Sequence, residues 1–200
     1  LHRLVLGHSH NCYTLQARWN EMYLNPGSLH YRLGHNAGTH GADYITVERE
    51  EQHVANYLQI QSVRYGSIMR YTIDIDPALH ERYMLKIVLQ PLVENAIYHG
   101  IKRRRGRGQI TVTGRRQAGG MYFAVEDNGM GMTPERLAEV RTSLQNGAPL
   151  DPDGKGGYGL RNVEQRLRLY YGCGLTIESE YRHGTRISFT VPDEQEGKTL

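Results

Sequence analysis

Two hundred residues with 38% hydrophobic and 22% charged content describe a globular chain, long enough for one good core and a smaller appendage. Twenty-four Lys and Arg against 21 Asp and Glu leave a formal charge of +3, too near balance to point by itself to nucleic acid or a membrane surface. Cys12 and Cys173 lie far apart without CxxC or Cys-His spacing, which argues against a disulfide framework or a zinc site and fits a reducing cytosol. No run approaches the roughly 20 apolar residues of a membrane span, and the opening LHRLVLG is too short for a signal sequence. The chain opens without a methionine and is read as a piece of something larger.

In chain order, residues 1–40 hold six of the ten histidines among Gly, Asn and Tyr, with no helical or strand period. VEREEQHVANYLQIQSVRY (47–65) predicts a helix with Val47, Val54, Leu58, Ile60 and Val63 as its apolar face and Gly66 as its stop. YTIDID (71–76) alternates like a strand and Pro77 ends it. Residues 82–99 space Leu85, Val88, Leu92 and Ala96 helically, with Pro91 starting or kinking the helix and with Asn95 and His99 one turn apart on a common face. QITVTGRR and MYFAVED read as two strands around Gln117-Ala118-Gly119-Gly120. TPERLAEVRTSLQNG reads as a helix capped by Thr133, with Pro134 at its first position and Gly147 past its end. The loop PLDPDGKGGYG leads into the helix LRNVEQRLRLYYG, and GLTIESEY and TRISFTV close the chain as strands around Arg182-His183-Gly184, before a polar tail. This order predicts an α+β fold, a two-layer sandwich with helices on one face of a mixed, mostly antiparallel sheet.

VEDNGMG (125–131) asks for more than a turn, although Asp-Asn-Gly is ordinary turn chemistry. Phe123, Val125 and Asp127 share one strand face, so the carboxylate ends an apolar row at the mouth of the sheet–helix cleft. A buried acid needs donors. Gly157 and Gly159 precede a helix whose first unpaired N–H groups suit phosphate oxygens, and Gly154 and Gly156 lie in the loop before it.

Together LVENAIYHG (92–100), VEDNGMGM (125–132), GKGGYGLRNVEQRL (154–167) and HGTRISFTVP (183–192) resemble the N box, two glycine boxes and Gly-Thr motif of the ATPase fold shared by histidine kinases, DNA gyrase, Hsp90 and MutL. LQPLVENAIYHG, DNGMGM and GLRNVEQRL most resemble the LytS/YesM-type sensor histidine kinases, and HGADYITVEREEQHVANYLQIQSVRYG looks like the helix those kinases carry before the ATPase domain. The resemblance covers about residues 40–192. It implies a partial dimerisation and phosphoacceptor region over 1–66, an ATP-binding catalytic domain over 67–192 and a tail over 193–200.

The resemblance places Asp127 on the exocyclic amine of adenine with Thr185 alongside, and Gly129 and Gly131 where the backbone approaches the purine. It gives the Asn95 amide oxygen to Mg²⁺ and puts Glu94 near the metal's waters or the γ-phosphate. His99 and Lys102 then lie toward the phosphates, and Gly157, Gly159 and Leu160 complete the ATP set. His99 reads equally as a surface histidine at a helix end. The basic run from Lys102 to Arg107 lacks interleaved aromatics and reads as a solvated loop, so no nucleic-acid partner is expected.

The family's N-P-H-F-like acceptor motif is absent. In GHSHNCYTLQ (7–16) the ungapped alignment sets Ser9 at the acceptor position, and a shift of one residue makes His10 or His8 the acceptor. Neither has an acidic neighbour, and without supporting carboxylates a native metal site at His8 and His10 is not expected. The leading expectation is the cytoplasmic kinase region of a two-component sensor, dimeric when intact, serving a response regulator and meeting a membrane only through segments outside this chain. The alternative is a nucleotide-binding module without autokinase activity. A gyrase- or MutL-like clamp is disfavoured because Pro91 occupies the place of its glutamate.

Overall fold

The computed structural model describes residues 43–102, 106–147 and 158–193. A short strand β1 (Tyr44–Thr46) leads directly into helix α1 (Val47–Tyr65). Thr46 caps α1 by accepting a hydrogen bond from the Arg49 N–H, and Gly66, at φ 56°, ends it. The buried side chains of α1 are Val47, Glu50, Val54, Leu58 and Gln61, a stripe at spacings of three and four. The predicted face therefore needs correction: Ile60 and Val63 lie off that stripe and are 57% and 83% exposed.

Strand β2 (Met69–Ile75) follows, and then a 3₁₀ turn, Pro77–Leu79, capped by the Asp76 carboxylate. The predicted helix over 82–99 is only partly present. Its first residues form strand β3 (Tyr83–Leu85), which pairs antiparallel with β1. Helix α2 (Leu89–Asn95) begins two residues before Pro91, whose missing N–H costs nothing in a first turn. It runs on into a wider π turn, Ala96–Ile101, in which the Lys102 N–H reaches back to the Ile97 carbonyl. Asn95 is half-buried and His99 exposed.

Strands β4 (Gly108–Gln117) and β5 (Gly120–Asp127) form the expected hairpin. Helix α3 (Pro134–Asn146) carries its Thr133 cap and a left-handed Gly147, helix α4 spans Tyr158–Tyr171, and β6 (Thr176–Glu180) and β7 (Gly184–Pro192) close the sheet. The five-stranded order is β2-β4-β5-β7-β6, antiparallel except for the parallel edge pair β2–β4. The fold is thus α+β, as the element order predicts. Among the described residues no helix is long and apolar enough to cross a membrane.

Register lines the sheet's inner face with matched rungs: Val112, Val125, Ile187 and Ile177 form one, and Gly114, Phe123 and Phe189 the next. The Phe123 and Phe189 rings stack 5.5 Å apart. The opposite face is polar, with Arg186 bridging to Glu126 at 2.7 Å. Val47, Val54 and Leu58 of α1 belong to the same hydrophobic core as the sheet, so the chain does not divide at residue 66 into separately packed bodies. Leu58→Ala should accordingly cost about 2–5 kcal/mol in urea unfolding, whereas Val63→Ala should cost less than about 0.5 kcal/mol. Equal losses would overturn the buried face assigned to α1.

Candidate functional site

The rung below the apolar ones is polar. Ile110, Asp127, Thr185 and Ser179 are successive partners across β4, β5, β7 and β6, so the inner face ends in a carboxylate and two hydroxyls. Asp127 is 5% exposed and Thr185 8%. One Asp127 oxygen accepts the Gly129 N–H at 2.7 Å, and the Thr185 and Ser179 hydroxyls lie 2.9 Å apart. Burial pushes the Asp127 carboxyl up from its ordinary 3.8 to about 6; N–H bonds from Gly129 and Thr185 oppose the rise and the Glu126 charge adds to it.

The following segment is pinned by the protein's own backbone. A Cβ on Gly129 would overlap the backbone of Gly100 at the end of the π turn, and a Cβ on Gly100 would overlap the Asp127 carboxylate. Gly131, at φ 61°, leaves no room for a Cβ beside the Glu180 carbonyl. The Met130 N–H reaches the Gly100 carbonyl at 3.2 Å, the Met132 N–H reaches the Ser179 hydroxyl at 2.9 Å, and the Arg182 N–H reaches the Met130 carbonyl at 2.6 Å. The glycines at 129 and 131 are thus already required by these contacts within the chain.

At this end of the sheet lies a hollow of about 330 Å³, lined by Asp127, Ser179 and Thr185 and also by Glu126, Glu178 and Arg186 of the opposite face. A second, of about 270 Å³, lies at the far end of β5 and β7, between Tyr83, Met121 and Asp193, and none of the sequence-predicted residues lines it.

Glu94 and Asn95 are half-buried at the end of α2, on the same helical stretch that brings Gly100 against Asp127. Gln90 donates to Glu94 at 3.0 Å, and burial raises the Glu94 carboxyl against that bond. Gly159 and buried Leu160 open α4, and Gly159 stands near Pro91. His99 and Lys102 are exposed, the Lys102 ammonium lying 5.8 Å from the centre of the Tyr98 ring. His8, His10, Gly154, Gly156, Gly157 and Arg103 to Arg105 lie outside the described residues. Among the described residues no cluster of three or more His, Cys, Asp or Glu stands ready for a metal.

Sequence reasoning missed Ser179, Gly100 and Glu50. Gly100 ends the N-box string and could have been found there; Ser179 is marked only by strand register, and Glu50 by nothing in its acidic surroundings.

Residues 80–195 match the family described as histidine kinase-, DNA gyrase B-, and HSP90-like ATPase. The chain is 33% identical over 156 residues to the sensor histidine kinase YesM of Bacillus subtilis, which takes in 77% of this chain and 25% of YesM. It is 31% identical over 153 residues to sensor histidine kinase YpdA of Escherichia coli, covering 76% of this chain and 25% of YpdA. It is 32% identical over 154 residues to the sensor protein LytS of B. subtilis, covering 76% of this chain and 25% of LytS. The chain therefore spans about a quarter of the length of each. The catalytic domain of histidine kinase ThkA shares the fold, with a TM-score of 0.56 over 74% of this chain and 93% of that one, at 16% identity.

The raised carboxyl of Asp127 gives a pH signature. Protonated Asp127 is favoured by the fold, so its contribution to stability is complete below pH 3.8 and is lost as pH rises through about 6. Asp127→Asn should remove this loss, and the ligand-free variant should gain about 2 kcal/mol over its parent between pH 4 and pH 8. Urea unfolding at the two pH values checks it, and a variant-to-parent difference that does not change with pH would overturn it.

Proposed function

Because the chain belongs to the histidine kinase-, DNA gyrase B- and HSP90-like ATPase family and resembles the YesM and LytS sensor kinases within it, we propose that residues 67–192 bind Mg-ATP and that the intact protein passes the γ-phosphoryl group to a histidine and then to a response regulator. The observation that carries the reading is Asp127, a carboxylate kept nearly out of water at the end of an apolar face, with one oxygen held by Gly129 and hydroxyls beside it. Such a group is costly unless a donor reaches it. The adenine amine is a donor of the right kind, and the Thr185 hydroxyl or a bridging water can serve the same ring, while the Ser179 hydroxyl beside it is taken up by the Met132 N–H and the Gly184 carbonyl.

The phosphate end falls to α2 and the start of α4. Asn95 presents an amide oxygen and Glu94 a carboxylate, hard oxygen donors of the sort Mg²⁺ takes while keeping several waters. A bound Mg²⁺ supplies charge neutralisation on the phosphates. Glu94 serves the metal's waters or the γ-phosphate, and Gly159 with Leu160 starts the helix whose N-terminal side suits phosphate oxygens. The chain's contribution is positioning and charge stabilisation, because phosphoryl transfer asks little covalent work of the protein. His99 and Lys102 belong to this proposal as contacts on the phosphate side.

A response regulator and a second copy of the chain are the proposed partners of the intact protein, which we assign to the cytoplasmic side of an inner-membrane sensor. A second reading, a nucleotide-binding module without autokinase activity, is favoured by GHSHNCYTLQ, which sets Ser9 rather than a histidine at the acceptor position.

Calorimetry tests the pocket. Asp127→Asn should weaken ADP binding by about 1–3 kcal/mol, because an amide brings a donor to face the adenine amine; undiminished affinity would sink the adenine role. Asn95→Ala should remove the Mg²⁺ enhancement of ATP affinity while the fold stays intact, and equal enhancement in parent and variant would reject the metal role. With γ-labelled ATP we expect weak or no autophosphorylation of this chain, any label mapping to His10 before His8. Acid-labile, alkali-stable label at high stoichiometry that His10→Gln abolishes would establish the kinase reading against the module reading.

A further inference from the structure

We propose that Glu50 on α1 is a positioning residue for the metal-and-phosphate end of the cleft: its carboxylate grips the first turn of α2 and so sets where Glu94 and Asn95 stand. The proposal rests on the Mg-ATP reading of Asn95 given above. Glu50 is fully buried. Its Oε2 accepts the Ile87 N–H at 2.7 Å, and its Oε1 accepts the N–H groups of Val88 at 2.7 Å and Leu89 at 2.9 Å. These are N–H groups of the kind a helix start leaves without an intrahelical partner. Most helices answer them with a local Ser, Thr, Asp or Asn, but Val88 has no capping side chain. The cap of α2 comes instead from another helix.

The grip is two-sided. Ile87 is β-branched and stands at φ 58°, a left-handed conformation that such residues rarely adopt. Glu50 holds its N–H, while Arg166 of α4 donates to the carbonyls of Lys86 at 2.9 Å and Ile87 at 3.4 Å. The Leu85 N–H donates to the Tyr171 hydroxyl at 2.8 Å. From Leu89 to Asn95 the chain makes barely two helical turns, so a shift of the first turn carries through to the amide proposed as the metal ligand. A second point of α1 lies beside the same end: burial first, and then the Glu94 charge, push the Tyr57 hydroxyl above its ordinary range. A movement of α1 along or about its axis therefore reaches Asn95 without any contact between α1 and the nucleotide.

The test uses the full chain and calorimetry with two probes, ATP with Mg²⁺ and ADP in excess chelator. Glu50→Gln leaves an amide nitrogen facing one of the three N–H groups, and it should lower Mg-ATP affinity about ten-fold while chelated ADP, held at the Asp127 end, stays near the parent value. A purely structural role moves both affinities together or neither. Arg166→Gln loosens the grip from the carbonyl side and lies on a partly exposed helix face, so it decides the matter should Glu50→Gln fail to fold; the same split is expected. A parent chain that binds neither probe overturns the Mg-ATP reading and this proposal with it. A parent that binds both, with folded variants that keep its ratio of affinities, overturns the positioning role alone.

Discussion

The cleft depends on two missing side chains. Gly100 and Gly129 meet backbone to backbone, and any Cβ on the first would displace the Asp127 carboxylate while any Cβ on the second would displace the helix end. This contact joins the helical layer to the sheet where the apolar rungs stop and the polar rung begins. It also removes water from Asp127, which is why the carboxyl rises to about 6 although two backbone donors favour its charged form. A site built in this way holds stored cost: the ionised acid is unfavourable where it stands, a cost that a further donor reaching it would offset.

A second cost sits at Ile87. A non-glycine residue in the left-handed region costs about 1–3 kcal/mol and persists only where its surroundings over-determine it. Glu50 accepts three N–H hydrogen bonds at this corner, and burial raises its carboxyl against them. The bonds that fix Ile87 and the start of α2 thus also offset part of the cost of a buried acid. Glu164 does comparable work on α4, where it is buried, accepts the Leu175 N–H at 2.5 Å and pairs with Arg168, tying the helix to the approach to β6.

Much of this was legible in the chain because the signals were local. Thr133 and Pro134 start α3 and Gly147 stops it, Gly66 stops α1, and the β4–β5 hairpin turns at its glycines, since caps and turns are decided by neighbours in sequence. Asp127 was visible as the polar end of an alternating row. Strands β1 and β3 were not, because three residues carry no period and β3 draws its strand character from pairing with β1. Ile60 and Val63 read as part of a roughly helical apolar face, but the buried stripe of Val47, Val54 and Leu58 runs at a different angle around the helix and leaves them outside. Glu50 in EREEQ reads as one more solvated acid, and only tertiary packing makes it a cap. Ser179 faces the pocket through register set by β7, which no pattern within β6 announces.

The polar rung also has a history during synthesis. Asp127 lies on β5 and Thr185 on β7, and the chain must finish both α3 and α4 before those strands can meet. The β4–β5 hairpin can close early, since its contacts are local, whereas the β5–β7 pair carries the loop-closure cost of everything between. A nascent chain that has extruded β5 thus carries a carboxylate row still open to water, with no neighbouring hydroxyls and no reason for Asp127 to resist ionisation. The rung is complete only when β7 docks between β5 and β6, so a ribosome-stalled chain lacking β7 holds Asp127 without Thr185 beside it.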